Sequence, residues 1–272
     1  MDSFAPKRYP PVGRCIYCGD PQYDQSEPDR VLGDEHIIAL SLGGTLVLPE
    51  ASCKACEKLT SGYDTHCAEQ FAGPNREHLG LRSRRRNKHR SQVPIMRDIG
   101  GRLQRVSIPV TDHSAALLMF NFQFPRALLG LPPTEEFTGT IVMASLHPDP
   151  GRRSRLTGNV NIVRRGGFDA PTFGRMLAKV AHSYAVAERG LEGFEPVLPN
   201  LIRGIGPQYL SYYIGGDPGL GPQSANRHEL SLDVYNNVEA LDFLVVRIRL
   251  FADRGMPPYN VVVGGPKTRL PR

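Results

Sequence analysis

A chain of 272 residues is long enough for one large domain, or for a small module followed by a domain with its own core. No stretch approaches the roughly eighteen consecutive apolar residues that a membrane-spanning helix needs, so we expect a soluble protein that is not exported and has no membrane partner. The formal net charge is +6, which leaves open an acidic binding partner.

Four of the five cysteines form two Cys-x-x-Cys pairs, Cys15/Cys18 and Cys53/Cys56. This spacing suits thiolates that share one metal ion better than the disulfides of a secreted scaffold, and it predicts a reducing, cytoplasmic location. Four thiolates complete a tetrahedral zinc site and leave no position open for a substrate. We therefore predict a structural zinc ion, with a redox pair or unrelated core cysteines as alternatives, and we expect Cys67 to be buried in a helix.

The segment between and after these pairs predicts a hairpin followed by a helix. Residues 35–40 and 45–48 favour short strands, and residues 41–44 supply the turn. Residues 57–71 have helical character, which a Gly-Pro pair ends. The predicted order is strand, strand, helix, with cysteines on both sides.

His36 lies in the first of these strands and has no ligand role in a four-cysteine site. A lone histidine near a strand end is usually a core or surface side chain. Here Glu35 precedes it and offers a carboxylate of the kind that Mg²⁺ or another hard divalent ion prefers. A neutral imidazole beside such an ion can deprotonate water for attack on a phosphodiester, which makes His36 a candidate general base.

The order Cys-x-x-Cys, Glu-His-Ile-Ile, Gly-Gly, Leu-Val-Leu-Pro, Cys-x-x-Cys over residues 15–72 resembles the HNH endonuclease family in its zinc-stapled ββα-metal form. The resemblance implies that His36 is the general base and that Glu35 binds the catalytic divalent ion. Asp34 is the alternative ligand if the strand register differs by one residue. A further run at residues 73–81, followed by arginines, is similar to an extension of bacterial proteins of this type.

The chain departs from the family pattern at two positions. The Asn that orients the histidine is replaced by Thr45, whose hydroxyl could do this only in part. The last position, Asn or His in the family, is Glu57, an unusual candidate ligand for the catalytic ion. Asp64 is a further candidate carboxylate, with an ordinary solvated helix residue as the alternative. His78 could reach the scissile phosphate, contact the DNA backbone or lie at the surface.

The positive charge is concentrated after the cysteine module. Residues 76–90 hold seven basic residues and one acidic residue, Glu77. Their net charge of +6 equals the formal net charge of the whole chain. Such a run is often a solvated face or linker, but beside a metal site it favours phosphate neutralisation and a nucleic-acid partner, DNA before RNA. A smaller basic cluster at residues 152–155 extends a DNA track or caps an exposed loop. The residues predicted to bind nucleic acid are Arg76, Arg82, Arg84, Arg85, Arg86 and Lys88.

The sequence pattern changes near residue 90 to strand-like runs. This change predicts an HNH module with a basic extension at residues 1–90 and a second domain at residues 91–272. Helices there are too few for βαβ crossovers, so we predict a mixed, mostly antiparallel α+β domain. Residues 170–189 form a helix with one apolar stripe, and Lys179, His182 and Ser183 lie off that stripe in a structural role. Strands are predicted at residues 103–110, 116–124, 138–145, 159–163, 230–235, 241–251 and 259–263.

The leading interpretation is a metal-dependent endonuclease that hydrolyses DNA phosphodiester bonds, with room for a homodimer that cuts both strands. The alternative is a zinc-dependent nucleic-acid-binding protein whose catalytic centre has decayed through Thr45 and Glu57. A third interpretation makes the first module a zinc scaffold for protein partners.

Overall fold

The computed structural model describes residues 7–73, 75–76, 78–81, 92–109, 112, 115–146, 169–217, 220–237 and 241–266. Within these ranges the protein is a mixed α+β structure with few helices and several antiparallel sheets, as the sequence predicted. None of the helices that the structure describes has the length and apolarity needed to cross a bilayer.

A three-stranded sheet organises the N-terminal region. It comprises β1 (Lys7–Arg8), β2 (Gly33–His36) and β3 (Leu46–Ser52), in the order β1-β3-β2. Strands β2 and β3 are antiparallel, whereas β1 runs parallel to β3. A single 3₁₀ turn, Leu40–Leu42, connects β2 to β3 and confirms the predicted hairpin.

The Gly-Gly pair makes this connection possible. Gly43 has a φ of 90°, in the left-handed region that favours glycine. A Cβ added to Gly44 would lie 1.9 Å from the carbonyl oxygen of Ile38, so no larger residue fits without moving the backbone. The two glycines thereby allow the chain to reverse direction between β2, which ends at His36, and β3.

Helix α1 (Lys54–Cys67) follows β3 after one residue and continues as a π-helical turn, Ala68–Ala72. The predicted order of strand, strand and helix is therefore confirmed. Two isolated antiparallel hairpins come next in the chain, β4 (Gln92–Ile99) with β5 (Arg102–Pro109) and β6 (Ala116–Asn121) with β7 (Thr140–Ser145).

Helix α2 (Ala170–Arg189) is the long helix that the sequence predicted with the same bounds. Its start is capped by Asp169, whose carboxylate accepts a hydrogen bond from the backbone of Thr172 at 3.0 Å. It packs on a five-stranded antiparallel sheet that the remaining elements build. These are β8 (Phe194–Pro196), α3 (Pro199–Arg203), α4 (Leu210–Tyr213), β9 (Ile214–Gly216), β10 (Glu229–Asn236), β11 (Asp242–Arg249) and β12 (Pro258–Pro266).

One hydrophobic core runs through both halves of the chain. The rings of Phe71 and Phe173 meet edge to face at 4.9 Å, and Phe173 meets Tyr259 at 5.4 Å. The proposed boundary at residue 90 lies in residues 82–91, outside the described ranges, so the division into two domains stays a prediction. The strand predicted at residues 159–163 also lies outside them.

Candidate metal centre

The two Cys-x-x-Cys pairs converge on one point. The four sulfur atoms all lie within 4.8 Å of one another, and the Sγ atoms of Cys18 and Cys53 are 3.6 Å apart. Zinc–sulfur bonds of about 2.3 Å place tetrahedral thiolates about 3.8 Å apart, so the cluster fits one zinc ion. Cys15, Cys53 and Cys56 are buried and Cys18 is exposed, which places the site just beneath the surface.

Local backbone geometry holds each pair in place. The amide of Gly19, at a φ of 79°, donates to the carbonyl of Cys15 at 2.9 Å and closes the first turn. The amide of Ile16 donates to the carbonyl of Ala51 at 2.8 Å, which fixes that turn on β3. Cys53 is the N-cap residue of α1 and Cys56 lies in its first turn, where the positive end of the helix dipole favours thiolates.

Hydrogen bonding within the cluster already favours one thiolate. The Cys56 thiol lowers the pKa of Cys15 to about 5, while that same contact raises the pKa of Cys56. Burial raises the pKa of Cys18 to about 11. Zinc would displace the remaining protons and share the negative charge of all four sulfur atoms. Among the residues that the structure describes, this quartet is the only group of three or more His, Cys, Asp or Glu side chains placed to hold a metal.

A second polar cluster is centred on Glu35, which lies on β2. Its carboxylate is buried and contacts the ammonium of Lys179 on α2 at 2.7 Å. The same ammonium lies 3.0 Å from an Asp64 carboxylate oxygen and donates to the carbonyl of His36 at 2.5 Å. The acidic residue that the sequence assigned to a divalent ion thus has a lysine partner in this structure, and its role as a metal ligand stays a prediction.

The two carboxylates keep the Lys179 side chain in its charged, ammonium form. Burial by itself lowers the pKa of Lys179, but Asp64 and Glu35 outweigh it and raise the pKa above its ordinary value. Burial raises the pKa of Glu35, and the nearby ammonium opposes that change. Tyr17, from the first cysteine turn, lies beside both carboxylates; burial and their negative charge raise the pKa of its hydroxyl.

Two further polar residues of α2 are buried, and one of them contacts the N-terminal region. The ring Nε2 of His182 contacts the carbonyl of Ile16 at 2.7 Å, and the hydroxyl of Ser183 donates to the carbonyl of Lys179 at 2.8 Å. Lys179, His182 and Ser183 are all fully buried. His182 therefore packs against the first cysteine turn and Ser183 bonds within α2, and both have the structural role that the sequence predicted.

The other predicted catalytic residues lie in different surroundings, and their catalytic roles stay predictions. His36 is half-buried at the end of β2, and Thr45 is half-buried after the Gly-Gly turn. Glu57 accepts a hydrogen bond from the Tyr23 hydroxyl at 3.0 Å. Asp34, the alternative ligand, is exposed and pairs with Arg8 at 2.7 Å.

The basic extension is described only in part. His78 is half-buried, and the guanidinium of Arg76 donates to the carbonyl of Ser41 at 3.4 Å, so Arg76 packs near the hairpin turn. The other predicted nucleic-acid contacts lie outside the described ranges: Arg82, Arg84, Arg85, Arg86 and Lys88. The cluster at residues 152–155 lies outside them as well.

No protein-family model, curated protein or solved structure matches this chain. The resemblance to HNH endonucleases therefore rests on the residues of the chain itself. The four-cysteine cluster supports metal binding, and the nuclease assignment has no relative to support it.

Removing one sulfur ligand should abolish metal binding. We expect the purified wild-type protein to carry one zinc ion per chain and Cys53→Ser to carry almost none, because three thiolates do not close the coordination sphere. Structural zinc sites contribute on the order of 10 kcal/mol to folding, so Cys53→Ser should also lose its cooperative unfolding transition. Colorimetric zinc release and circular dichroism measure both effects.

The fifth cysteine provides the matched control for this experiment. Cys67 is fully buried in α1 but does not belong to the quartet. Cys67→Ala should therefore retain one zinc ion and lose only about 1–2 kcal/mol of stability through the small cavity. Equal zinc loss in both variants would contradict the assignment of the four ligands.

The buried His182 should make the protein sensitive to mild acid. Burial lowers the pKa of His182 to about 4, from an ordinary value of 6.5. Between these two pH values the unfolded chain binds a proton that the folded protein excludes, so stability falls as pH falls from about 6.5 to 4, by about 3 kcal/mol in total. Urea denaturation at several pH values measures this loss.

The variant His182→Gln should lose less stability than the wild type over the same pH range, although it starts from a lower value at pH 7. Any acid release of zinc is common to both proteins, so the difference between their pH profiles isolates the histidine. His66→Gln is the comparison variant, because the His66 side chain is 42% exposed and lies 3.7 Å from the Asp169 carboxylate, so acid strengthens its contact rather than opposing it. A His182→Gln profile parallel to that of the wild type would refute the role of this imidazole.

Proposed function

We propose that this protein is a zinc-stabilised DNA-binding protein whose exposed β4–β5 hairpin contacts the nucleic acid. The observation that carries the proposal is the hairpin itself. It carries Arg97, Arg102 and Arg105 against a single acidic residue, Asp98. It directly follows the basic run of residues 82–90, so the most positive part of the sequence continues into this hairpin.

The shape of the hairpin supports duplex DNA as the partner. Its two eight-residue strands pair along their full length, and most of its described residues are exposed. A two-stranded ribbon of this kind fits the major groove of B-form DNA, whereas the major groove of double-stranded RNA is too narrow for it. The length of the ribbon would let arginines contact phosphates on both sides of the groove.

The side chains of the hairpin alternate in a way that suits both backbone and base contacts. Arg97 and Arg102 lie on one face, and Arg105 lies opposite Met96 on the other. Met96 is 51% exposed and Leu103 is 65% exposed. Arginines can pair with phosphates or guanine, and exposed apolar side chains can contact thymine methyl groups. This mixture favours DNA over a purely electrostatic partner.

Neutralising the hairpin should weaken binding in a salt-dependent manner. The triple variant Arg97→Gln, Arg102→Gln, Arg105→Gln should bind duplex DNA more weakly. The slope of log K against log salt concentration should decrease in magnitude by about 2–3, because each lost phosphate contact removes about 0.9 from it. Fluorescence anisotropy with a labelled duplex at several salt concentrations gives the slope.

A variant with the same loss of charge elsewhere serves as the control. Lys58→Gln, Arg189→Gln, Arg203→Gln removes three positive charges from three helices and should retain the wild-type slope to within the long-range effect of net charge. Equal weakening of both triple variants would argue against the hairpin as the contact surface. A wild-type slope near zero would favour protein partners instead.

Endonuclease activity is the second candidate function, and one observation favours it. His36 is half-buried rather than enclosed, at a strand end beside the Gly-Gly turn and Thr45. An imidazole with access to water can act as a general base. In this interpretation Glu35 does not serve as metal ligand, and any divalent ion would be held by other groups or by the substrate phosphates.

Plasmid cleavage in Mg²⁺ or Mn²⁺ tests this second candidate. If His36 is the base, His36→Ala should lower the cleavage rate at least about 100-fold while zinc content stays unchanged. His66→Ala, which alters a half-buried histidine on α1 outside the hairpin, should cleave like the wild type. Cleavage that persists in His36→Ala would exclude His36 as the base. If the wild type binds DNA but does not cleave it, DNA binding is the only one of the two functions that is supported.

A further inference from the structure

We infer that the Lys179 ammonium is an internal replacement for a divalent cation, held by Glu35, Asp64 and the His36 carbonyl, and that it closes this site to metal ions. The inference concerns the position that the sequence assigns to a catalytic magnesium ion. It does not depend on whether the protein binds DNA.

The oxygen atoms around the ammonium are of the type that hard divalent ions prefer. Two come from carboxylates, Glu35 Oε1 at 2.7 Å and Asp64 Oδ2 at 3.0 Å, and one from the carbonyl of His36 at 2.5 Å. The carbonyl of Ile37 lies further away, at 3.5 Å. Three near acceptors match the three N–H groups of an ammonium, so Lys179 is fully hydrogen-bonded.

Burial makes this arrangement hard to exchange. The Lys179 side chain is 0% exposed, and those of Glu35 and Asp64 are 5% and 16% exposed. A metal ion entering here would have to displace the ammonium from both carboxylates. The displaced charge would then lie buried without a partner, or α2 would have to move, and either change is strongly unfavourable.

The origin of the lysine gives the site a second property. Glu35 belongs to β2 and Asp64 to α1, whereas the cation comes from α2 in the C-terminal half. A metal ion would hold only the strand and helix of the N-terminal region. The ammonium holds these two elements and also attaches α2 to them, so one charge replaces the cation and links the N-terminal region to the C-terminal half.

Binding of Mn²⁺ to the zinc-loaded full chain, followed by electron paramagnetic resonance, tests the inference. We expect the wild type and Glu35→Gln to show the same Mn²⁺ binding, because Glu35 is not available to metal in either protein. We expect Lys179→Ala to gain one Mn²⁺ site per chain, because it leaves two carboxylates and a carbonyl without a cation. The double variant Lys179→Ala, Glu35→Gln should lack that additional site.

Two results would overturn the inference. One is a Mn²⁺ site in the wild type that disappears in Glu35→Gln, since the ammonium would then not exclude metal. The other is Lys179→Ala that retains zinc and cooperative unfolding but gains no Mn²⁺ site. If Lys179→Ala does not fold, the comparison of the wild type with Glu35→Gln still decides: unchanged Mn²⁺ binding supports the inference and a lost site refutes it.

Discussion

The contact between Lys179 and Glu35 is the interaction on which the rest of the structure depends. It takes a buried charge from a helix in the C-terminal half and places it between the hairpin and the helix of the N-terminal half. Removing Lys179 would leave Glu35 and Asp64 in the interior without a counter-ion, which typically costs several kcal/mol. His182 adds a neutral hydrogen bond to the cysteine turn, so α2 contacts both the hairpin and the metal centre.

The four-cysteine cluster and this lysine both stabilise the same small module. A module of about sixty residues buries too little apolar surface to be stable by itself, and metal coordination is the usual remedy. Here the remedy has two parts. Four thiolates fix the turns around β3 and α1, and the core shared through Phe71 and Phe173 supplies the apolar surface. The hairpin that carries His36 is therefore held in place by residues that lie far away in the sequence.

This division explains how much of the structure could be predicted from the sequence. The Cys-x-x-Cys pairs, the Gly-Gly turn and the periodicity of α2 are local signals, and each predicted its element correctly. Strands β8 and β9 have three residues each, too few for a periodic signal. The lysine partner of Glu35 could not be predicted from the sequence. Lys179 lies 143 residues after His36, the neighbour of Glu35, and only tertiary packing brings α2 next to β2.

The continuous core and the polar face of α2 also bear on how such a module can evolve. Many small metal-binding modules fold independently of the domains beside them. Residues 1–90, cut away from α2, would expose Phe71 and leave Glu35 and Asp64 without their counter-ion. We therefore do not expect this module to fold without α2. A substitution in its interior would have to be matched by one on α2, so the two parts are expected to evolve together.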